Sequence, residues 1–205
     1  MNWAGLLLSI VLMAGILVFR RRYINSEGQP EYGAYAVACL LFFLASLSLN
    51  YQLILDTDTY KDAAQLFMEW NRVSAVAVGM SGLIFLIRNA KPAITRFPVL
   101  FCWIPLLLIP FYAMVVNTIF LKEILLGIYE GGSIMVALLM YGLFLTRDKK
   151  YLIVVSGLLI LLAGYILMWA IRLADPSLQA VDFFWAYQLV FAWGSGLMFY
   201  GIHKL

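Results

Sequence analysis

An all-α fold, a polytopic bundle of seven transmembrane helices with the N-terminus outside and the C-terminus cytoplasmic, is what the sequence predicts. Three observations carry this. The 205 residues are 64% hydrophobic and only 12% charged, with a mean hydropathy of +0.93. A soluble domain carries about 25% charged residues, so half of the usual solvating surface is missing. The apolar residues are gathered into seven runs, most of them close to the roughly 20 residues that a helix needs to cross a bilayer. Finally, nearly all basic residues fall in the short connections between those runs.

The first run, 3–19, is followed rather than preceded by Arg20, Arg21 and Arg22, so it reads as an uncleaved helix and not as a signal peptide. Glu27-Gly28-Gln29-Pro30 separates it from a second run over 33–55, and Asp56-Thr57-Asp58 leads to a third over 63–87. Asn89-Ala90-Lys91-Pro92 precedes the fourth, 98–119. The connection Phe120-Leu121-Lys122-Glu123 is so short that the fourth run and the fifth, 123–146, are expected as antiparallel neighbours. A sixth run covers 151–173, and Ala174-Asp175-Pro176-Ser177 separates it from the seventh, 182–203. Periodicity is silent in segments this apolar, but length is not. Membrane strands need only about 10 residues and alternate polar with apolar. Helices are therefore expected, in one domain spanning 1–205.

Orientation follows from the cations. Arg20, Arg21, Arg22, Arg88, Lys91, Arg96, Arg147, Lys149, Lys150 and Lys204 share one side, whereas Lys61 and Lys122 lie on the other among Asp56, Asp58, Asp62, Asp175 and Asp182. Short basic loops stay in the cytoplasm, which places the N-terminus outside. The same distribution makes the net charge of +3 a topology signal and not a nucleic-acid footprint. Cys39 and Cys102 both fall inside expected spans, where buried thiols are inert and no disulfide framework is implied. Gly79-x-x-Gly82, Gly131-Gly132 and Gly194-x-Gly196 read as small faces that let helices approach.

Two basic residues lie within spans. Arg72 sits some nine residues into the third, about 13 Å from the outer surface at 1.5 Å per residue. An unpaired arginine at such a depth costs at least ~2.5 kcal/mol, so a partner is expected. Glu69 is three residues earlier on the same helical face, and Gln65 continues that stripe. Glu130 in the fifth span, Asn50 in the second, Gln188 in the seventh, and Arg172 with Trp169 in the sixth fall at comparable depth in the outer half. These eight residues are the candidate ligand-binding set, on the reasoning that expensive polar groups converge on a bundle interior. A network that merely locks helices together is the competing reading, strongest for Arg172, which lies within snorkelling reach of the interface. Trp3, Trp70, Trp169 and Trp185 fit an interfacial aromatic belt.

Chemistry is also bounded by what is missing from the sequence. His203 is the only histidine and lies at the C-terminal end, so bis-histidine haem ligation, histidine zinc sites and a histidine base within the bundle are excluded. No lysine lies deep in a span to carry a retinal Schiff base, and no phosphate loop occurs. Ser74, Ser81, Ser133 and Ser195 lack a visible base and are expected to bond backbone carbonyls. No catalytic residue, metal ligand or cofactor is assigned. A small transporter or an intramembrane enzyme remains a further alternative, with Glu69 or Glu130 as its proton-carrying group.

The layout resembles the seven-helix sensory regions of bacterial histidine kinases and related signalling proteins. The basic triplet after the first span, the short acidic loop after the second, and the stretch Leu66-Phe67-Met68-Glu69-Trp70-Asn71-Arg72 opening the third carry the likeness. The resemblance implies a receptor-like module in a bacterial cytoplasmic membrane, sensing a small or lipidic ligand from the outer side. The sequence stops at Leu205, directly after the seventh span. The expected partners are therefore the bilayer and either a separate signalling protein or further sequence beyond this membrane part. A structural or assembly subunit of a larger membrane complex is the alternative.

Overall fold

The computed structural model describes residues 3–52, 58–90, 102–104, 119–174 and 180–205. Side chains at 48–52, 58–65, 87–90, 119–123, 171–174 and 180–184 are outside this description. Every long element is an α-helix: α1 (Trp3–Asn25), α2 (Pro30–Gln52), α3 (Asp58–Ala90), α4 (Ile119–Leu145), α5 (Leu152–Ala174) and α6 (Ala180–Lys204), with a 3-10 turn at Lys149–Tyr151. Among the described residues four segments are long and apolar enough to cross a membrane: Trp3–Asn25, Pro30–Leu47, Ile124–Leu145 and Lys149–Ala170. The span expected over 98–119 lies outside the described residues except for a short turn at Cys102–Ile104 and the first residue of α4.

Several helix ends shift from the sequence reading. Arg20, Arg21 and Arg22 lie within α1, Arg22 in its last turn, rather than in a loop. The helix closes through Gly28, whose N–H donates to the Tyr23 carbonyl at 3.0 Å. Glu27 and Gly28 sit at φ 57° and 84°, the left-handed conformation that satisfies orphan carbonyls at a helix C-terminus. Gly28→Ala is expected to lower the melting temperature, by an amount equivalent to about 1 kcal/mol, because a Cβ is disfavoured at that φ. Pro30 then starts α2 at once, since its missing N–H costs nothing in a first turn.

The fold divides into two compact units, Met1–Gly15 with Ile134–Leu205, and Ile16–Ser133. In the first, α5 and α6 meet backbone to backbone. A Cβ on Gly157 would lie 2.7 Å from the Gly194 carbonyl oxygen and 2.7 Å from the Met198 nitrogen. One on Gly201 would lie 2.8 Å from the Val154 nitrogen, and one on Gly164 would strike Val190. Contacts advance along α5 as they retreat along α6, so the two helices are antiparallel. Val154, Leu158, Leu161 and Tyr165 form the buried stripe of α5. Helix α1 joins through Val11 beside Gly196 and Gly15 beneath the Phe199 ring. Those two contacts advance together, so α1 and α6 run parallel.

In the second unit, Phe19 and Tyr35 bring α1 and α2 together with ring centroids 5.3 Å apart. Gly79 and Gly82 lie against α2, where a Cβ on Gly82 would be 3.0 Å from that of Ala34. Contacts from Gly79 to Ala38 and from Gly82 to Ala34 make α2 and α3 antiparallel. The packing role expected of Gly79 and Gly82 is thus observed. It is observed for Gly194 and Gly196 too, although these two face different helices. Gly132 is the exception, since nothing lies within 4 Å of a Cβ built there.

Candidate functional site

Arg72 finds a partner in Glu130. Its Nε lies 2.6 Å from Glu130 Oε1, with the carboxylate side chain 8% and the arginine 35% exposed. The pair links α3 to α4. Beside it, Val73, Ala77 and Leu126 pack into a buried cluster with Tyr129 against it. The Tyr129 hydroxyl donates to the Cys102 carbonyl at 2.8 Å, which ties α4 to the short turn there. The Glu130 carboxylate thus offsets the cost of the partial burial of Arg72.

Glu69 is 6% exposed, one turn before Arg72 on α3. The continuous helix Asp58–Ala90 places residues 65, 69 and 72 on one face as expected. The Gln65 side chain itself lies outside the description, as do those of Asn50 and Arg172. Asn71 donates to the Phe67 carbonyl at 2.7 Å within its own helix. Ser81 and Ser133 likewise donate to carbonyls four residues back, at 2.8 and 2.7 Å. These hydroxyls are occupied in the way polar groups of apolar helices usually are.

Trp169 and Gln188 belong to the other unit. Gln188 is 1% exposed, one of the most completely buried side chains described. The antiparallel register of α5 and α6 puts Trp169 and Gln188 within about one helical turn of each other in height. Trp3 and Trp185 are 76% and 55% exposed, Trp70 is 43% exposed and Trp169 is half-buried.

One buried carboxylate escaped the sequence reading. Glu31 precedes the apolar run over 33–55, yet it is 2% exposed in the first turn of α2. The signal was Pro30, which begins the helix three residues earlier than the apolar run and carries Glu31 into the packed face. A carboxylate there also suits the positive end of the helix dipole. Among the described residues no group of histidine, cysteine and carboxylate side chains could hold a metal ion.

The chain matches no protein-family model, and neither a curated protein nor a solved structure shows significant similarity to it.

Proposed function

We propose that the chain is a seven-helix, receptor-like sensory module of a bacterial cytoplasmic membrane, which binds a small or lipidic ligand in its outer half beside Glu69, Arg72 and Glu130. The observation that carries this reading is the Arg72–Glu130 ion pair at 2.6 Å, with the Glu69 carboxylate one turn away. Three ionisable groups within two adjacent helices are costly in a membrane and are characteristic of sites where a polar ligand is met. Arg72 keeps a third of its side-chain surface open.

The seven-span count and the outward N-terminus rest on charge and on helix direction. Ten cations on one side of the apolar runs against two on the other favour a cytoplasmic C-terminus. The parallel course of α1 and α6 within their unit supports an odd number of crossings from the first to the last. Six long helices are described, and a crossing over 98–119 brings the number to seven.

A structural or assembly role is the second reading, favoured by the apolar cluster of Val73, Ala77 and Leu126 that packs beside the pair. A cysteine at Gln65, on the outward continuation of the stripe, separates the two. In sealed cells, a membrane-impermeant maleimide is expected to label Gln65→Cys from outside, while Lys149→Cys reacts only after permeabilisation. Failure of Gln65→Cys to react would remove the open pocket and leave the structural reading. Labelling of Lys149→Cys in sealed cells would overturn the orientation.

A further inference from the structure

One end of the first unit gathers cations over exposed apolar surface. Arg147, Lys149 and Lys150 are all exposed in the turn between α4 and α5. Asp148 accepts from the Lys150 N–H at 3.0 Å and lies 3.7 Å from the Lys150 ammonium. The one acidic side chain of the turn is thus directed at one of its three cations. The 3-10 turn also packs against α6, where Lys204 lies over the Tyr200 ring at 4.7 Å from its centroid. The contact of Gly201 with Val154 brings that end of α6 level with the start of α5.

Beneath the cations the surface changes character within one turn. Leu143 is 61% and Leu152 is 55% exposed. Between them, the Phe144 and Tyr151 rings meet at a tilt with centroids 5.3 Å apart, and Tyr141 lies 6.1 Å from each. Aromatic rings at such a boundary mark the level of the headgroups. An acidic protein surface would meet the cations and leave the leucines uncovered. A molecule with a negative head and apolar tails satisfies both.

We propose that the Thr146–Tyr151 turn and the end of α6 form a binding site for an anionic phospholipid. The phosphate lies among Arg147, Lys149, Lys150 and Lys204, and the acyl chains follow Leu143 and Leu152. The site goes beyond a general preference for basic loops, because it holds one headgroup at one place.

The test uses the full chain in neutral detergent, incubated with equal amounts of dioleoyl phosphatidylglycerol and dioleoyl phosphatidylcholine. Lipid remaining bound after gel filtration is quantified by mass spectrometry. Phosphatidylglycerol is expected to be retained in excess, with about a fivefold loss of that preference for each cation removed. Arg147→Gln combined with Lys149→Gln and Lys150→Gln abolishes it, whereas Arg147→Lys keeps it. Should the triple variant fail to fold, raising the salt from 50 to 500 mM with the wild-type protein is expected to reduce the preference in its place. Equal retention of the two lipids, or a preference indifferent to both charge removal and salt, overturns the site.

Discussion

Arg72→Ala is expected to lower stability by about 3 kcal/mol, read as the shift in the unfolding midpoint in mixed micelles. The reason is what the substitution leaves behind. Glu130 stays buried at 8% exposure with its cation gone, and removing one partner of a buried pair costs about 3–5 kcal/mol. The lower end applies because Arg72 itself is 35% exposed, so part of its charge is already stabilised by its surroundings. Replacing both partners with leucine is expected to restore most of the loss, since an apolar pair of similar volume has no desolvation cost. That double variant also separates stability from function. A module that folds normally without the pair and no longer responds to ligand has lost a site. One that folds and responds has lost a clamp. Wild-type stability in Arg72→Ala would remove the paired, interior position of Arg72 on which both readings rest.

The second large effect belongs to Gly157. Its α-carbon faces the backbone of α6, and a Cβ would lie 2.7 Å from both Gly194 oxygen and Met198 nitrogen. Backbone cannot rotate aside as a side-chain tip can, so the helices must separate. Gly157→Ala is expected to cost about 2 kcal/mol and Gly157→Leu more, in the upper part of the range for overpacked cores. Gly132→Ala provides the control. Nothing lies within 4 Å of its Cβ, and alanine favours the helix by about 1 kcal/mol. A stability gain at Gly132 and a loss at Gly157, measured by the same denaturant titration, would attribute the effect to the α5–α6 contact. Equal effects at both positions would contradict it.

Much of the architecture was legible because it depends on average properties. Helix length and the sparing use of charge follow from the solvent that the chain must face, and composition reports that solvent directly. The expected partner for Arg72 was legible too, through the cost of an isolated cation in an apolar helix. Which residue answers that demand was not. Glu69 is the nearer in sequence, yet the structure sets Arg72 against Glu130, 58 positions later. Spacing along one helix cannot report what a second helix presents.

Glycine was read only in part for a similar reason. Gly157 and Gly164 on α5 have the same seven-residue spacing as Gly194 and Gly201 on α6. A helix that is apolar on every side gives no stripe to say which glycines face a neighbour. The visible pair Gly131-Gly132 attracted the packing reading, whereas the separated Gly157 and Gly201 make the closest approaches to neighbouring backbone. Hydropathy starts α2 at residue 33 and leaves Glu31 outside it, whereas a proline in the first turn moves that start outward to Pro30.

The sequence by itself determined that this is a helical chain suited to a membrane, with most of its cations at the ends of its apolar runs and its polar groups limited to a few costly positions. These properties follow from solvation, which each residue meets on its own account. The tertiary structure decided the partner of Arg72, the glycines that bring α5 and α6 into contact, and the burial of Glu31. Each of these is a relation between residues far apart in the chain, created only when helices choose their neighbours and their faces.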